Sequence, residues 1–328
     1  MRELNVVLPG VIWPEVADYA YLAATLAAPN LLALLSHARL SQESYCYSDF
    51  YYQQHASASS SLARTFASDV HSAQHAGFLL AEPTHLRADR DRLLIAEAEL
   101  LQLNESEVTT IVAAINQHFH EELTIYPLSP ELWLVGLNFA IDNLNSYPIL
   151  DIVGANIDEY LPSGKTQMRI HQLINELQML LFNLPLNQER SSQGLLPVNS
   201  LWLWDKVPRA LPFKASQLMS NNPRLADCRE FKQEELALAD AIIVDSAYFP
   251  ACYRDSYAWA SAVHDIDASL GAYLCQKLMK FKLHRVNLWV PSVTGSICAR
   301  ISPVSLYAWW RHKSWAALAE VIHKLSDN

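Results

Sequence analysis

The sequence predicts an α/β protein: a mostly parallel sheet flanked by helices, with an α+β insert. Three observations predict it. Short apolar runs bounded by turn residues, at 4–8, 238–246 and 285–291, read as buried strands. Long stretches of helical apolar spacing separate them, which favours parallel crossovers with helices on both sides of the sheet. Between 77 and 140 the pattern shifts to strand, strand, helix, strand, strand, a compact α+β unit. The expected division is therefore a core of 1–76 and 141–328, and an insert of 77–140. With 328 residues, 51% of them hydrophobic, the chain can fill both.

The first element is "ELNVVLPGVIWPE", Glu3 to Glu15, a short buried strand that ends in Pro-Gly. A helix follows from Pro29, with Leu31, Leu34 and Leu35 on one face; Pro29 suits the first turn, where its missing N–H is not needed. Residues 41–61 are rich in aromatics and serine and read as a packed loop with a helix start. "GFLLAEP" and "DRLLIA" predict two short strands around a polar turn, "THLRADR". Val108, Ile111, Val112, Ile115 and Phe119 mark a helix over 106–122, and "LTIYP" and "ELWLVGL" two more strands. The clearest amphipathic helix covers 166–184, with Ile170, Leu173, Ile174, Leu177, Leu180 and Leu181 on its buried face. "VNSLWLWD", 198–205, alternates as a strand, and one long helix is expected over about 254–280.

Composition excludes some function classes. A net charge of −10 repels nucleic acid and anionic membrane, so neither is an expected partner. The apolar runs are broken before bilayer length, and no signal peptide opens the chain, which suits a cytoplasmic protein. Cys46, Cys228, Cys252, Cys275 and Cys298 are odd in number and form no CxxC pair, which argues for reduced thiols. The dinucleotide, P-loop and hydrolase-elbow motifs are all missing.

Several charged sets could carry chemistry. His71 and His75 stand at i, i+4, a metal-ligand spacing, but solvated or capping histidines are commoner. His118 and His120 diverge on a helix. In "VHDIDASLG" His264, Asp265 and Asp267 sit within a helix, where the two aspartates diverge and Ile266 and Leu270 form the core stripe. In "HLRADRDR" Arg87, Arg90 and Arg92 can grip phosphate or carboxylate, or pair with their own aspartates. Asn187, Arg190 and Asn199 form a looser set around a helix end and a strand entry, able to hold loops or a ligand.

"TIYPLSPELWLVGL", "DIVGANIDEYLPSG" and "LNQERSSQGLLPVNSLWLWDKVPRALPF" resemble the archaeal-type, cofactor-independent phosphoglycerate mutases of the alkaline phosphatase superfamily. Asn187, Arg190, Gly194, Asn199, Trp202 or Trp204, and Pro208 resemble an N–R–G–N–W–G–P pattern of that family; "APNLLALL" resembles its Pro-Asn-Leu helix, and "VHDIDASLGAYL" its late Asp-containing helix. "HLRADRDRLLI", "NELQMLL" and "PVNSLWLW" are more similar to a shorter bacterial branch, the RpfE-type regulatory proteins.

The resemblance implies the fold already read from pattern, and in active members two divalent metals and a phosphate-carrying serine. This chain departs from that chemistry. The first strand ends Leu8-Pro9-Gly10 where an acidic ligand is implied, "AIIVDSAYFP" keeps Asp245 with no His beside it, and "NLWVPSVTG" lacks an Asp-His pair. A dication pair needs several converging hard ligands. The expectation is a metal-free relative with no cofactor, no metal ligands and no catalytic residue, and a binding or regulatory role. Its partner would be a small anion or a protein, with Arg87, Arg90, Asn187, Arg190, Asn199 and Arg209 as the anion-binding set. One alternative is an active phosphotransferase with a nucleophile among Ser57–Ser61 and Arg87 and Arg90 on phosphate. Another is an interaction protein displaying Trp309, Trp310 and Trp315.

Overall fold

The computed structural model describes residues 2–19, 21–22, 26–55, 60–68, 75–89, 92–96, 98–213, 215–222, 224–225, 233–292, 295–307 and 313–326. The chain forms two compact units: Met1–Tyr51 with Leu211–Asn328, and Tyr52–Ala210. The inserted unit is thus wider than 77–140. The helix Gln167–Phe182 and the strand Ser200–Trp204, assigned from pattern to the core, pack into the insert instead.

The strands are β1 Glu3–Val7, β2 Arg39–Glu43, β3 Gly77–Asp89, β4 Arg92–Ala96, β5 Leu123–Pro127, β6 Trp133–Leu137, the two-residue β7 Leu144–Asn145 and β8 Ser163–Gly164, β9 Ser200–Trp204, β10 Leu218–Ser220, β11 Ala241–Ile243, β12 Arg285–Pro291 and β13 Ser296–Ile301. In the first unit the sheet order is β10-β11-β1-β12-β13-β2. The strands β10, β11, β1 and β12 run parallel, while β13 and β2 add an antiparallel edge.

Strand alternation divides this sheet into two unlike faces. Leu4, Val6, Ile242, Val286, Leu288, Ile297, Ala299 and Ile301 point into one apolar core with the helices Pro29–His37, Ser256–Ile266, Ala272–Met279 and Trp315–Ser326. The opposite face is mixed: Val7, Ile243, Trp289 and Cys298 are buried on it, beside a polar set. Asn5 and Asn287 are register partners, and the Asn287 amide donates to Asn5 Oδ1 at 3.0 Å. Arg300 donates to Ser41 Oγ and Glu43 Oε1 at 2.8 and 2.9 Å. The helices of this apolar core lie on one face, and the short helix Tyr47–Tyr51 brings Phe50 against Trp289 on the other. The central strands are thus buried on both faces, as their near-continuous apolar runs predict.

The long helix over 254–280 forms with a π-helical interruption at Asp267–Gly271. That interruption turns Asp267 inward, to 3% exposure. Its Oδ1 accepts from Leu31 N at 2.7 Å and its Oδ2 from Asn30 Nδ2 at 2.9 Å. The helix Pro29–His37 begins after Ala28, which has no side chain to cap the orphan N–H groups, so Asp267 supplies the cap from another element. Asp267 is thus neither a metal ligand nor a solvated helix residue.

In the second unit a five-stranded antiparallel sheet runs β4-β3-β6-β5, with β9 also paired to β3. The expected turn "THLRADR" lies instead within β3, which continues to Asp89 and pairs with β4. The helix Gln167–Phe182 buries Ile170, Leu173, Ile174, Leu177 and Leu181 against this sheet, as its spacing predicts. Glu105–His118 packs on the same core and carries a full capping box at Asn104 and Glu107. His75 lies across β6, with its ring where a side chain on Gly136 would be and its Nε2 bonded to Tyr126 Oη at 2.9 Å. This is a packing role, and His71 lies outside the described residues.

Candidate functional site

In a parallel α/β sheet, ligands bind beyond the carboxyl ends of the strands. That rim is the first place to look. β1 leads into Leu8, which is fully buried, and the Leu8 N–H donates to Trp289 O at 2.8 Å. Gly10 follows at φ 72°, with the backbone of Ala247 and Tyr248 2.6 Å from where a Cβ would stand. Its carbonyl accepts from Trp259 Nε1 at 2.8 Å. The Pro-Gly turn that the sequence placed here is therefore a packed corner, closed by backbone and indole.

β11 ends at Asp245. Its Oδ2 accepts from Tyr47 Oη and from Asn222 Nδ2, each at 2.8 Å. Its backbone N–H donates to Asn221 Oδ1 at 3.1 Å. Tyr47 is wholly buried, with its ring 4.8 Å from Tyr248 and 6.1 Å from Tyr51. Burial, followed by the neighbouring charge of Asp245, holds the Tyr47 phenol well above its ordinary pKa, so it stays a donor. The carboxylate of Asp245 is thus clasped by a phenol and an amide.

β12 brings Trp289 to the same rim. Its ring meets Tyr45, Phe50 and Phe213 at 5.9, 5.6 and 5.7 Å, and Phe50 and Phe213 stack at 6.3 Å. Its indole N–H donates to Asn5 Oδ1 at 3.3 Å. The strand ends converge on packed aromatic side chains. The sequence reading missed Tyr45, Tyr47, Phe50, Asn221 and Asn222 as rim residues, since they come from the short helix Tyr47–Tyr51 and from loops, whose place depends on the tertiary fold. The Asn-Asn pair directly after β10 was the one local hint.

The donors present do not fit a pair of dications. Asp245 has its phenol and amide partners, Leu8 fills the end of β1, and Trp289 fills the end of β12. Among the described residues, no three of His, Cys, Asp and Glu come together as a metal-binding group. Cys298 and Cys275 are buried in the first unit, and burial pushes their thiols up to about 12 and about 11, so they act as apolar filling.

The expected anion-binding set lies in the second unit and divides in two. Asn187 is buried; its amide donates to Leu181 O and Val198 O at 2.7 and 2.8 Å and accepts from Val198 N at 2.8 Å. Arg190 is 1% exposed. Its three nitrogens donate to Leu196 O, Leu101 O and Glu107 Oε1. Both residues staple the helix Pro185–Ser192 to its surroundings, a correction to their reading as anion ligands: buried donors take the nearest acceptors, and here these are carbonyls and Glu107. Asn199 does the same for β3, accepting from Leu86 N at 2.7 Å and donating to Leu86 O at 2.9 Å. Its amide stands in for a strand partner just past the β3–β9 pairing. Asn199 also borders an open surface cavity of about 700 Å³ with Leu86, Gln178, Met179 and Phe182.

Arg87 is exposed on β3, and Arg209 is exposed in the loop after β9. Arg90 lies outside the described residues, as do Ser57–Ser59, Trp309 and Trp310. Ser61 caps the helix Leu62–Ala67, its Oγ accepting from Arg64 N, and also bonds Asp205. Asp205 is held above the usual carboxylate range chiefly by burial. Trp315, expected on an exposed aromatic surface, is 4% exposed and belongs to the core, because its helix is amphipathic and turns that face inward.

The geometry defines an α/β protein with a mostly parallel sheet and an inserted antiparallel unit. No known protein-family profile matches the chain. It is 36% identical over 102 residues to the 2,3-bisphosphoglycerate-independent phosphoglycerate mutase of Methanosarcina barkeri, a stretch covering 29% of this chain and 25% of that protein. It is 41% identical over 68 residues to a probable enzyme of the same name from Geobacter sulfurreducens, covering 20% and 17%. The match thus spans about a quarter or less of these relatives. Among solved structures, a protein from Pyrococcus horikoshii aligns with a TM-score of 0.45 at 10% identity, covering 99% of this chain and 97% of that one. The cofactor-independent phosphoglycerate mutase of Thermoplasma acidophilum aligns at 0.33 and 15%, covering 99% of each. Over these stretches the chain is similar to 2,3-bisphosphoglycerate-independent phosphoglycerate mutases. Among its described residues no helix is long and apolar enough to cross a membrane.

Proposed function

We propose that this protein is a non-catalytic relative of the phosphoglycerate mutases, with a binding or regulatory role like that implied by its resemblance to the RpfE-type proteins. One observation carries the reading: the rim of the parallel sheet is filled by Leu8, Trp289, Phe50 and Phe213 around a single carboxylate, Asp245, that is already engaged by Tyr47 and Asn222. Moving a phosphoryl group would require charge-stabilising donors at an open, polar position, and a packed apolar rim offers neither. In this reading a small anion would be met by Arg87 and Arg90, since the donors of Asn187, Arg190 and Asn199 are used within the fold.

The test is turnover. Protein supplied with Mn²⁺ is expected to neither interconvert 3- and 2-phosphoglycerate nor hydrolyse p-nitrophenyl phosphate above background. Turnover that chelator removes, and that Asp245→Asn also removes, would overturn the proposal.

A further inference from the structure

The helix Ala272–Met279 ends in a Schellman motif: Phe281 N donates to Leu278 O and Lys282 N to Lys277 O, both at 2.9 Å. The residue that must turn left-handed in this motif is normally glycine. Here it is Phe281, at φ 55°. A bulky side chain in that region is an outlier. Core packing does not offset it, since Phe281 is 65% exposed and stacks on Tyr307, itself 60% exposed, with rings 6.5 Å apart and 18° from parallel. Met279 and Val304, on the same pair of elements, are 51% and 75% exposed. Glycine would serve the fold better than phenylalanine at this position, so the side chain needs another explanation.

Charge supplies it. Between Asp267 and Glu320 the sequence has no Asp or Glu, while it holds Lys277, Lys280, Lys282, Arg285, Arg300, Arg311 and Lys313 in a chain of net charge −10. Lys280, Lys282, His284 and Arg285 flank Phe281 and are exposed. Arg285 lies 3.9 Å from Glu3, and Arg300 pairs with Glu43 at 2.9 Å on another part of the sheet. Lys277 lies over the Tyr273 ring at 5.0 Å.

We propose that Phe281, stacked on Tyr307 and ringed by Lys280, Lys282 and Arg285, is the anchor of a docking surface for a short acidic segment of another protein that carries apolar side chains. Positive charge on the patch selects an acidic partner, and the aromatic pair supplies the desolvated centre that binding energy concentrates on. Range decides between partners of that sign. A membrane or a duplex would meet the negative remainder of the chain over tens of ångströms. A short peptide senses only the charges within a Debye length, about 8 Å at physiological salt. The inference extends the binding reading above but stands on different residues, and its readout is independent of metal and turnover.

The probe is a short fluorescein-labelled peptide of Asp, Glu and Phe, with a counterpart of Asn, Gln and Phe, followed by fluorescence anisotropy on the whole chain. The acidic peptide is expected to bind saturably and its amide counterpart not to. Phe281→Gly should weaken binding by roughly tenfold or more while leaving the melting temperature unchanged or raised, because glycine suits the turn. Lys280→Glu combined with Lys282→Glu should abolish binding. Failure of the acidic peptide to bind, equal binding by the amide peptide, or an undiminished affinity in Phe281→Gly each overturns the proposal. So does binding of phosphatidylserine vesicles or a single-stranded oligonucleotide at a concentration where the acidic peptide does not bind.

Discussion

Arg190→Ala is expected to destabilise the protein by about 3–5 kcal/mol, the range for removing one partner of a buried ion pair. The guanidinium is 1% exposed and serves three acceptors from three segments: Leu101 O, Leu196 O and Glu107 Oε1. Deleting it leaves two buried carbonyls without a donor and the Glu107 carboxylate, 13% exposed, without its counter-charge. Glu107 also closes the capping box of the helix Glu105–His118, so the loss reaches a second element. Lys cannot reproduce a planar fork aimed at three directions, and Arg190→Lys should recover little of the loss. Urea unfolding followed by far-ultraviolet circular dichroism reads this directly. Were Arg190 instead a ligand anchor, its removal would change stability by no more than about 0.5 kcal/mol, as surface substitutions do.

Trp289→Ala is the second large effect. The indole is 2% exposed, touches Tyr45, Phe50 and Phe213, and donates to Asn5. Truncating a buried Trp costs about 3–5 kcal/mol, through lost burial and through the cavity left behind. The direction separates two accounts of the rim. If Trp289 is rim packing, Trp289→Ala lowers the denaturation midpoint strongly and Trp289→Phe recovers part of it. If the rim were an open cleft with Trp289 as a lining residue, both changes would be nearly neutral for stability. The check is urea unfolding of the pair of variants, with hydrogen exchange at β1 and β12 to place the loss.

Much of the fold was legible because its strongest signals are local. The period of Ile170, Leu173, Ile174, Leu177 and Leu181 fixed both the helix Gln167–Phe182 and its buried face. The strands Trp133–Leu137 and Arg285–Pro291 are apolar runs with clear boundaries, and they form as read. Elements whose stability is borrowed were harder to read. β2, Arg39–Glu43, is polar along its length and exists through its pairing with β13 and the Arg300–Glu43 contact, about 260 residues away in sequence. The extent of the insert was missed for a similar reason: β9 looks like a core strand, and only its register with β3 assigns it to the other unit.

Of the candidate site, Leu8-Pro9-Gly10 and Asp245 were visible in the sequence; the Tyr47 and Asn222 contacts to that carboxylate were not, because they come from a short helix and a loop elsewhere in the sequence. Asn187 and Arg190 illustrate the converse. Their residue types suit an anion, yet their burial gives every donor an internal acceptor. Residue type states what a side chain can bind, and the fold decides what it meets first.

The central claim, that the sheet rim is a packed aromatic surface and not a cage for dications, is tested most directly by thermal unfolding with and without Mn²⁺. A native-state site present at a hundredfold excess of ligand over its dissociation constant adds about 2.7 kcal/mol of stability. The account predicts the same melting temperature in millimolar-scale Mn²⁺ and in chelator, for the natural chain and for Asp245→Asn alike. A saturable rise in melting temperature with Mn²⁺ that Asp245→Asn abolishes would contradict it.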